Sequence, residues 1–236
     1  LDDDPGKSWR AETKECLVTF EVRGAGRVNG AACSADGAVS VTGSEDNTAK
    51  MWLTETLGRV ATLSFSADGG RIVTGSFDNT AKIWSTETKE CLATLSGHEN
   101  WVNSVAFSAD GGRIVTGSDD DTAKIWSTET KECLVTLRAG FVSRWPFSGN
   151  EDCVNSVAFS ADGGLIVTGS DDNTARIWST EAMGGVETRP GHAACVNSVA
   201  FSVDGGHIVT GSRDNTAKIW STETKECLAT LSGHED

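Results

Sequence analysis

The sequence is short of basic residues and has no long apolar segment. Its 236 residues include 20 Lys and Arg against 34 Asp and Glu, a net charge of −14. A protein that binds nucleic-acid phosphates needs a basic face, so this composition argues against such a partner. No run approaches the ~18–20 apolar residues of a membrane-spanning helix, and residues 1–10 show no signal peptide. We therefore expect neither nucleic acid nor a membrane as a partner.

The usual signatures of a catalytic, metal or cofactor site are also missing. The glycines of "TGS" and "DGG" recur as turn residues, and none belongs to a glycine-rich phosphate loop. "GHAAC" (191–195) has a metal-like spacing of His and Cys, but no second pair completes a four-ligand site. "SDDDT" (118–122) lacks the glycine and the distal glutamate of a calcium loop. We predict no catalytic residue, no metal and no cofactor.

The seven cysteines do not indicate a disulfide framework. Four of them stand in the same phrase, "KECL": Cys16, Cys91, Cys133 and Cys227. Equivalent positions of successive repeats lie one repeat apart, too far for direct bridging. We interpret these cysteines as small strand residues in a reducing compartment. The expected location is the cytoplasm, with the nucleus as the alternative.

What the sequence does contain is one unit repeated throughout. The stretch "TGSFDNTAKIW" (74–84) returns with small changes at 42–52, 116–126, 168–178 and 210–220. The tryptophans that end these stretches indicate a unit of 42 residues, with one shortened and one lengthened copy. The chain begins with Leu1 and ends at "SGHED" inside a repeat, so we expect a segment of a longer protein.

Each unit predicts four short antiparallel strands. In the copy at 96–137, the runs "VNSVAFS", "RIVTGS", "TAKIWS" and "ECLVTL" have a hydrophobic period near two and end at turn residues. "SADGGR" carries the Asp-Gly pair of a tight hairpin, and "DDDT" and "STETKE" supply the other turns. A sheet of this size is marginal alone, and radial stacking of the repeats buries its apolar face.

These motifs resemble the WD-repeat β-propeller family, whose four-stranded sheets are called blades. The resemblance rests on the Gly-His pairs at 97–98, 191–192 and 233–234, the "FSADG" turn, the aspartate before "NTAKIW" and the final tryptophan. Two departures leave the assignment intact: Trp-Ser replaces the usual Trp-Asp, and alanine replaces the usual proline of the turn. The resemblance implies an all-β propeller of four-stranded antiparallel blades, with about five blades plus a partial one, forming a segment of a larger ring.

The repeat boundaries divide the chain into blades. We place a partial blade at 1–20 and blades at 21–64, 65–95 (shortened), 96–137, 138–189 (with an insertion at 138–152) and 190–236, which includes the start of a next repeat. The shortened copy lacks residues equivalent to 97–106, so its blade either does without a first strand or borrows residues 59–66 from the blade before. The insertion is either a functional loop or an artefact of the gene model.

The resemblance also implies a hydrogen-bonded relay of His, Thr, Asp and Trp inside a blade. Two copies hold the full set: His98, Thr116, Asp120 and Trp126, and His192, Thr210, Asp214 and Trp220. Three copies lack the histidine and hold Thr42, Asp46 and Trp52; Thr74, Asp78 and Trp84; and Thr168, Asp172 and Trp178. A nucleophilic triad uses similar residues, but a catalytic site occurs once and this set recurs, so we interpret it as structural.

Three columns of positions vary while their neighbours stay constant. The first precedes the turn aspartate and, by the resemblance, lies on the top face: Glu45, Phe77, Asp119, Asp171 and Arg213. The second precedes the first strand: Arg27, Trp101, Cys153 and Cys195. We interpret these two as a recognition surface, because exposed Phe, Trp and Arg anchor interfaces; free drift of exposed turn positions is the alternative. We expect the third column to be solvated: Val39, Arg71, Arg113, Leu165 and His207.

We therefore expect a non-enzymatic scaffold that binds a protein or peptide on its top face, within a multiprotein complex. The acidic rim favours a partner of basic character. One alternative is a regulatory sensor domain of a larger NTPase-type signalling protein, because near-identical WD repeats resemble those at the end of such switch proteins. A propeller enzyme is a third hypothesis. It would need an acid/base or metal cluster in the central channel, which the sequence does not supply.

Overall fold

The computed structural model describes residues 62–138, 153–181 and 186–234, together with the backbone of five earlier strands. These parts contain twenty-one strands and no helix. The strands form six antiparallel sheets, each with its strands in chain order. Among the described residues, then, no helix has the length and apolarity that crossing a membrane requires.

The first two sheets are small and the next four have four strands each. The small sheets contain β1 (Gly6–Trp9) and β2 (Cys16–Phe20), then β3 (Val28–Cys33), β4 (Ser40–Ser44) and β5 (Ala49–Met51). The next two contain β6 (Thr62–Phe65), β7 (Arg71–Gly75), β8 (Thr80–Ser85) and β9 (Cys91–Ser96), then β10 (Val102–Phe107), β11 (Arg113–Ser118), β12 (Thr122–Ser127) and β13 (Cys133–Arg138). The last two contain β14 (Val154–Phe159), β15 (Leu165–Ser170), β16 (Ala175–Ser179) and β17 (Val186–Arg189), then β18 (Val196–Phe201), β19 (His207–Ser212), β20 (Thr216–Ser221) and β21 (Cys227–Ser232). The predicted all-β fold of four-stranded antiparallel blades is confirmed.

Local turn chemistry explains where the strands end. Between β10 and β11, Asp110 Oδ1 accepts hydrogen bonds from Gly112 N at 2.9 Å and Ser108 Oγ at 2.6 Å. Gly111 within this turn has φ +66°, in the left-handed region that glycine adopts without steric cost. The turn between β11 and β12 places Asp121 at φ +64°, a conformation that Asp and Asn tolerate better than most residues.

The apolar core lies between neighbouring sheets. One face of the sheet β10–β13 contributes buried side chains from three strands, and the next sheet covers them with its own. This cluster contains Val115, Ala123, Ile125 and Leu137 on one side and Val154, Val157, Ile166 and Trp178 on the other. Equivalent clusters join β6–β9 to β10–β13, and β14–β17 to β18–β21. Each blade therefore completes the core of its neighbour, as in other repeat proteins.

The shortened repeat borrows its first strand. In β6, Leu63 lies opposite Thr74, the register that Val105 and Thr116 have in a full-length copy. The same letters, "ATLS", end the fourth strand β9, so a segment with period-2 patterning can serve as either strand. In the described part of the chain, the preceding sheet consists of β3, β4 and β5 alone. The expected boundary at 64/65 thus falls inside β6.

In the β1–β2 pair, Lys7 lies opposite Thr19, as Lys124 lies opposite Thr136, so this pair reproduces the last two strands of a blade. Most of the insertion at 138–152 lies outside the described residues. Its two interpretations therefore stay predictions.

Candidate functional site

The sheet β10–β13 holds a continuous chain of hydrogen bonds from an indole to a turn. Trp126 Nε1 donates to Thr116 Oγ1 at 2.9 Å, and His98 Nε2 lies 2.6 Å from the same hydroxyl. His98 Nδ1 lies 2.7 Å from Asp120 Oδ2, which also accepts from Glu99 N at 2.9 Å. Because the Thr116 hydroxyl accepts from Trp126, it can donate its own hydrogen to His98 Nε2. In this network Nε2 accepts, and Nδ1 carries the ring hydrogen that is donated to Asp120 Oδ2. The chain ties the turn to the blade.

The sheet β18–β21 repeats this arrangement. Trp220 Nε1 donates to Thr210 Oγ1 at 2.9 Å, and His192 lies 2.7 Å from Thr210 Oγ1 and 2.9 Å from Asp214 Oδ2. Burial alone would raise the pKa of Asp120 and of Asp214. Hydrogen bonds from the histidine, a threonine and a backbone N–H outweigh burial and hold the pKa of both carboxyls well below the usual range.

The sheets without the histidine keep the tryptophan–threonine bond. Trp84 Nε1 donates to Thr74 Oγ1 at 2.9 Å, and Trp178 Nε1 to Thr168 Oγ1 at 3.0 Å. Asp78 Oδ1 accepts from Thr80 Oγ1 at 2.6 Å, which holds its own turn. In the sheet β14–β17, Asp172 Oδ1 accepts the equivalent bond from Thr174 Oγ1 at 2.7 Å, and Asp172 Oδ2 also pairs with Arg176. Asp46, Trp52 and the Thr42 side chain lie outside the described residues.

The geometry of the relay fits a structural role in the blade better than a catalytic one. Thr116 and Thr210 are fully buried, so no substrate carbonyl can approach either hydroxyl. A nucleophile must reach its substrate within ~3 Å. Among the described residues, no group of three or more His, Cys, Asp and Glu is arranged to hold a metal ion. His192 of the "GHAAC" motif is committed to Thr210 and Asp214.

The first two variable columns meet within the last three blades. Asp119 N donates to Trp101 O at 3.0 Å. The same bond joins Asp171 to Cys153 and Arg213 to Cys195 in the next two blades, also at 3.0 Å. Positions that are 18 residues apart in the sequence therefore lie side by side. We call this set the rim: Phe77, Trp101, Asp119, Cys153, Asp171, Cys195 and Arg213.

The rim also continues from one blade to the next. The rings of Phe77 and Trp101, from neighbouring sheets, have centroids 4.5 Å apart at an interplanar angle of 31°. Cys153 Sγ donates to Asp119 O at 3.9 Å, again across a sheet boundary. The Cys195 thiol likewise interacts with Asp171 of the preceding sheet. Each described residue of the second column, Trp101, Cys153 or Cys195, thus contacts the first column of its own blade and of the blade before.

Carboxylates dominate the middle of the rim. Asn103 Nδ2 donates a hydrogen bond to Asp119 Oδ1 at 2.5 Å, and Asn155 Nδ2 donates one to Asp171 Oδ1 at 2.6 Å. Burial raises the pKa of the Cys153 thiol, and Asp119, Asp171 and Asp121 raise it further, to about 12. This thiol therefore stays protonated. Burial also raises the pKa of Cys195, with a further contribution from Asp171.

The structure separates the proposed contact residues by exposure. Trp101 and Arg213 are exposed, Phe77, Asp119, Asp171 and Cys195 are half-buried, and Cys153 is buried. The Cys153 side chain is thus out of reach of a partner and supports the rim from below. Arg27 and Glu45 lie outside the described residues.

The third column differs from expectation. Arg71 Nη2 donates to Gly111 O of the next sheet at 3.1 Å, and its guanidinium carbon lies 5.6 Å from the centroid of the Phe107 ring. Arg113 Nη2 donates to Gly163 O at 3.3 Å. The prediction that these arginines are solvated is wrong, because both bridge adjacent blades. A sequence signal was available, since a long basic side chain at a turn can reach the carbonyls of a neighbouring turn.

Comparison with known proteins agrees with this architecture. The family model described as "WD domain, G-beta repeat" matches five segments: 14–52, 54–85, 89–127, 141–179 and 185–221. No curated protein matches the chain. Each matched segment ends at the relay tryptophan or one residue after it. The repeat of the family model and the blades of the structure therefore end at the same place in the sequence. With matched segments across more than half of its length, the chain belongs to the WD-repeat family.

Proposed function

We propose that the chain is a non-enzymatic scaffold that binds a protein or peptide across the rim. WD repeats generally mediate protein–protein interactions, and domains built from them are typically non-enzymatic. The observation that carries the proposal is the Phe77–Trp101 pair, in which Trp101 remains 47% exposed. A rigid, partly exposed tryptophan supported by a second ring is the type of residue that anchors an interface.

The charges along the rim indicate the character of the partner. Asn103 and Asn155 donate hydrogen bonds to Asp119 and Asp171, so these two carboxylates are pre-positioned along the rim, with Asp119 next to Trp101. The chain as a whole has a net charge of −14. The negative electrostatic potential of such a chain raises the association rate of a basic partner, and this effect weakens as the salt concentration rises. We place a basic segment on the carboxylates and an apolar side chain on Trp101.

The setting of this interaction is a multiprotein complex in a reducing compartment, the cytoplasm or the nucleus. The support is that Cys91, Cys133 and Cys227 are exposed thiols that form no disulfide among the described residues. Exposed thiols of this kind persist where the cell keeps them reduced.

The test is a quantitative pull-down with matched variants. Trp101→Ala and Phe77→Ala should each reduce recovery of the same partner at least about tenfold, because they remove the anchor. Leu134→Ala is the control, since Leu134 is 46% exposed on β13, on the outer edge of the same sheet. Asp119→Asn combined with Asp171→Asn should weaken the same partner and reduce the salt dependence of its binding. A Phe77→Ala/Trp101→Ala variant that retains every partner would contradict the proposal.

A further inference from the structure

One boundary between sheets has charged residues where the preceding boundaries have apolar ones. Leu95 of β9 and Leu137 of β13 each lie opposite an alanine of the third strand and are buried in the core against the next sheet. Arg189 of β17 has the same register, opposite Ala175, and is also buried. This copy of the repeat therefore places a guanidinium at the position of a core leucine.

The apolar core at this boundary is correspondingly smaller. The cluster that joins β14–β17 to β18–β21 takes its buried members from β15, β16, β18, β19 and β20. Among the described side chains, none of them comes from β17. At the two preceding boundaries the fourth strand contributes a buried leucine, together with the partly buried Ala93 or Val135. The outer part of the later boundary is therefore held by contacts of another kind.

Charged side chains make these contacts. Glu187, at the position of Val135, accepts a hydrogen bond through Oε2 from Arg189 Nη2 at 3.0 Å. Glu187 Oε1 pairs with Nζ of Lys225, which belongs to the last sheet. Lys225 and then Arg189 hold the pKa of Glu187 below its usual range, so this carboxyl is ionised at neutral pH. We call Glu187, Arg189 and Lys225 the ionic cluster.

The ionic cluster is incompletely paired. One carboxylate serves two cations, and no acceptor among the described residues reaches the buried Arg189 Nε. A buried charge with imperfect partners stabilises a fold less than a well-packed apolar side chain of similar volume. The Lys225 side chain is 57% exposed, so dissolved ions can screen its attraction to Glu187. We therefore expect this contact to be weaker than the leucine contact and to depend on salt.

A bridge that joins the earlier sheets is also missing at this boundary. Arg71 and Arg113 each donate to a glycine carbonyl of the following sheet, but the residue at their position in β15 is Leu165, which packs partly against the core. A Cβ at Gly111 would lie 2.7 Å from Arg71 Nη2. At the equivalent Gly205, no atom of the described residues lies within 4 Å of such a Cβ.

The fourth strand at this boundary is shorter than its counterparts. β17 has four residues, whereas β9, β13 and β21 have six each. Pro190 follows Arg189 at the position that Ser96 and Arg138 hold at the ends of β9 and β13. A proline has no N–H with which to continue the ladder. The pairing of β17 with β16 accordingly ends at Arg189 and Ala175.

We propose that β17 is a detachable strand, held in place by the ionic cluster and released by salt. The inner part of the boundary stays closed, because Val196 and Val199 are buried there and Ser156 Oγ accepts from Val199 N at 3.2 Å. Release uncovers the edge of β16, since β17 is the outermost strand of its sheet. This local opening does not depend on the rim or on the partner that binds there.

Hydrogen exchange of the full 236-residue chain, followed by mass spectrometry, tests the proposal. In about 0.05 M NaCl, the amides of β17 should exchange at least about tenfold faster than those of β13, after correction for their intrinsic rates. In about 0.5 M NaCl, exchange in β17 should become at least about threefold faster still, because salt screens the attraction of Lys225 for Glu187. Exchange in β13 should not change.

A double substitution replaces the ionic cluster by the residues that β13 has at the same positions. Glu187→Val/Arg189→Leu should slow exchange in β17 at least about fivefold and remove its dependence on salt, because apolar packing takes the place of the ion pairs. Circular dichroism confirms that the variant keeps its strands.

Lys225→Ala and Lys131→Ala are a matched pair of single substitutions. The two lysines hold the same turn position, with φ of +67° and +65°. Lys225→Ala should make exchange in β17 at least about threefold faster in low salt, because it removes one cation of the ionic cluster. Lys131→Ala should leave β13 unchanged, since Lys131 Nζ donates to Thr128 O within its own turn.

Two results would overturn the proposal. The first is a β17 strand that exchanges as slowly as β13 at both salt concentrations. The second is fast exchange in β17 that neither salt nor Glu187→Val/Arg189→Leu alters, since the shortened pairing at Pro190 would then control the strand without the ionic cluster.

Discussion

Arg176 Nη2 lies 2.5 Å from Asp172 Oδ2 in a blade whose described residues include no relay histidine. Both side chains are mostly buried. In the sheet β10–β13 the equivalent aspartate, Asp120, is bound by His98, and the residue equivalent to Arg176 is Lys124. Lys124 Nζ points instead to Thr136 Oγ1, at 3.1 Å on the exposed side of the sheet. One substitution in the repeat therefore supplies a cation to the turn aspartate where the histidine is missing.

Removal of this arginine should be costly. Arg176→Ala leaves Asp172 without its cation in a mostly buried position, so we expect a loss of about 3 kcal/mol in the free energy of unfolding. Lys124→Ala, at the same repeat position, removes only an exposed contact and should change stability by no more than about 0.5 kcal/mol. Urea denaturation followed by tryptophan fluorescence measures both. Equal effects of the two substitutions would contradict the assigned role.

The Asp120 carboxyl should make stability depend on acid pH. Its pKa is lower in the folded chain than the ordinary value of 3.8, so the unfolded chain binds more protons in that range. The stabilisation is fully present above about pH 4 and is lost as pH falls through the folded pKa, with a slope of up to ~1.4 kcal/mol per pH unit.

Chemical denaturation across this acid range should show a shallower slope for Asp120→Asn than for the wild type. Glu129→Gln, in an exposed turn of the same blade, controls for the loss of one negative charge. A slope for Asp120→Asn as steep as the wild-type slope would count against this assignment.

Arg71 should stabilise the contact between two blades. Arg71→Ala removes a hydrogen bond to Gly111 O and a cation–π contact with Phe107, so we expect a loss of about 1–2 kcal/mol. His207 occupies the equivalent position in the last sheet, where its side chain makes no such bridge among the described residues. His207→Ala should therefore be close to neutral. Thermal unfolding of the two variants decides the matter, and a neutral Arg71→Ala would refute the bridge.

Gly117 should be intolerant of a methyl group. Gly117→Ala would bring Cβ within 2.9 Å of two valine side chains and 3.2 Å of Val154 O, and the resulting overpacking should cost about 1–3 kcal/mol. At the equivalent Gly211, the nearest atom to a Cβ among the described residues is Ser198 Cβ, at 3.8 Å, so Gly211→Ala should leave the melting temperature unchanged. Differential scanning calorimetry at low concentration compares them. Equal losses of stability in the two variants would contradict this difference in packing.

Structural features that depend on residues close together in the sequence could be predicted from the sequence alone. The period-2 patterning of "VNSVAFS" and the Asp-Gly turn of "SADGGR" predict a strand and a hairpin, because both depend on neighbours a few residues apart. The tie between Trp126 and Thr116 followed from the family resemblance. The rim was partly predictable: the variable columns were visible, but the buried position of Cys153 and the stacking of Phe77 on Trp101 were not.

The sequence by itself determined the repeat, the four strands of a blade and the residues that hold each turn. Only the tertiary structure decided that Thr62–Phe65 serves as a first strand, that Arg71 crosses to Gly111, and that Phe77 stacks on Trp101. These features depend on contacts between segments about one repeat apart, which near-identical copies cannot distinguish by their letters. Val115 and Val209 hold the same position in the repeat, yet Val115 is buried and Val209 is exposed, because among the described residues a following sheet packs only on Val115.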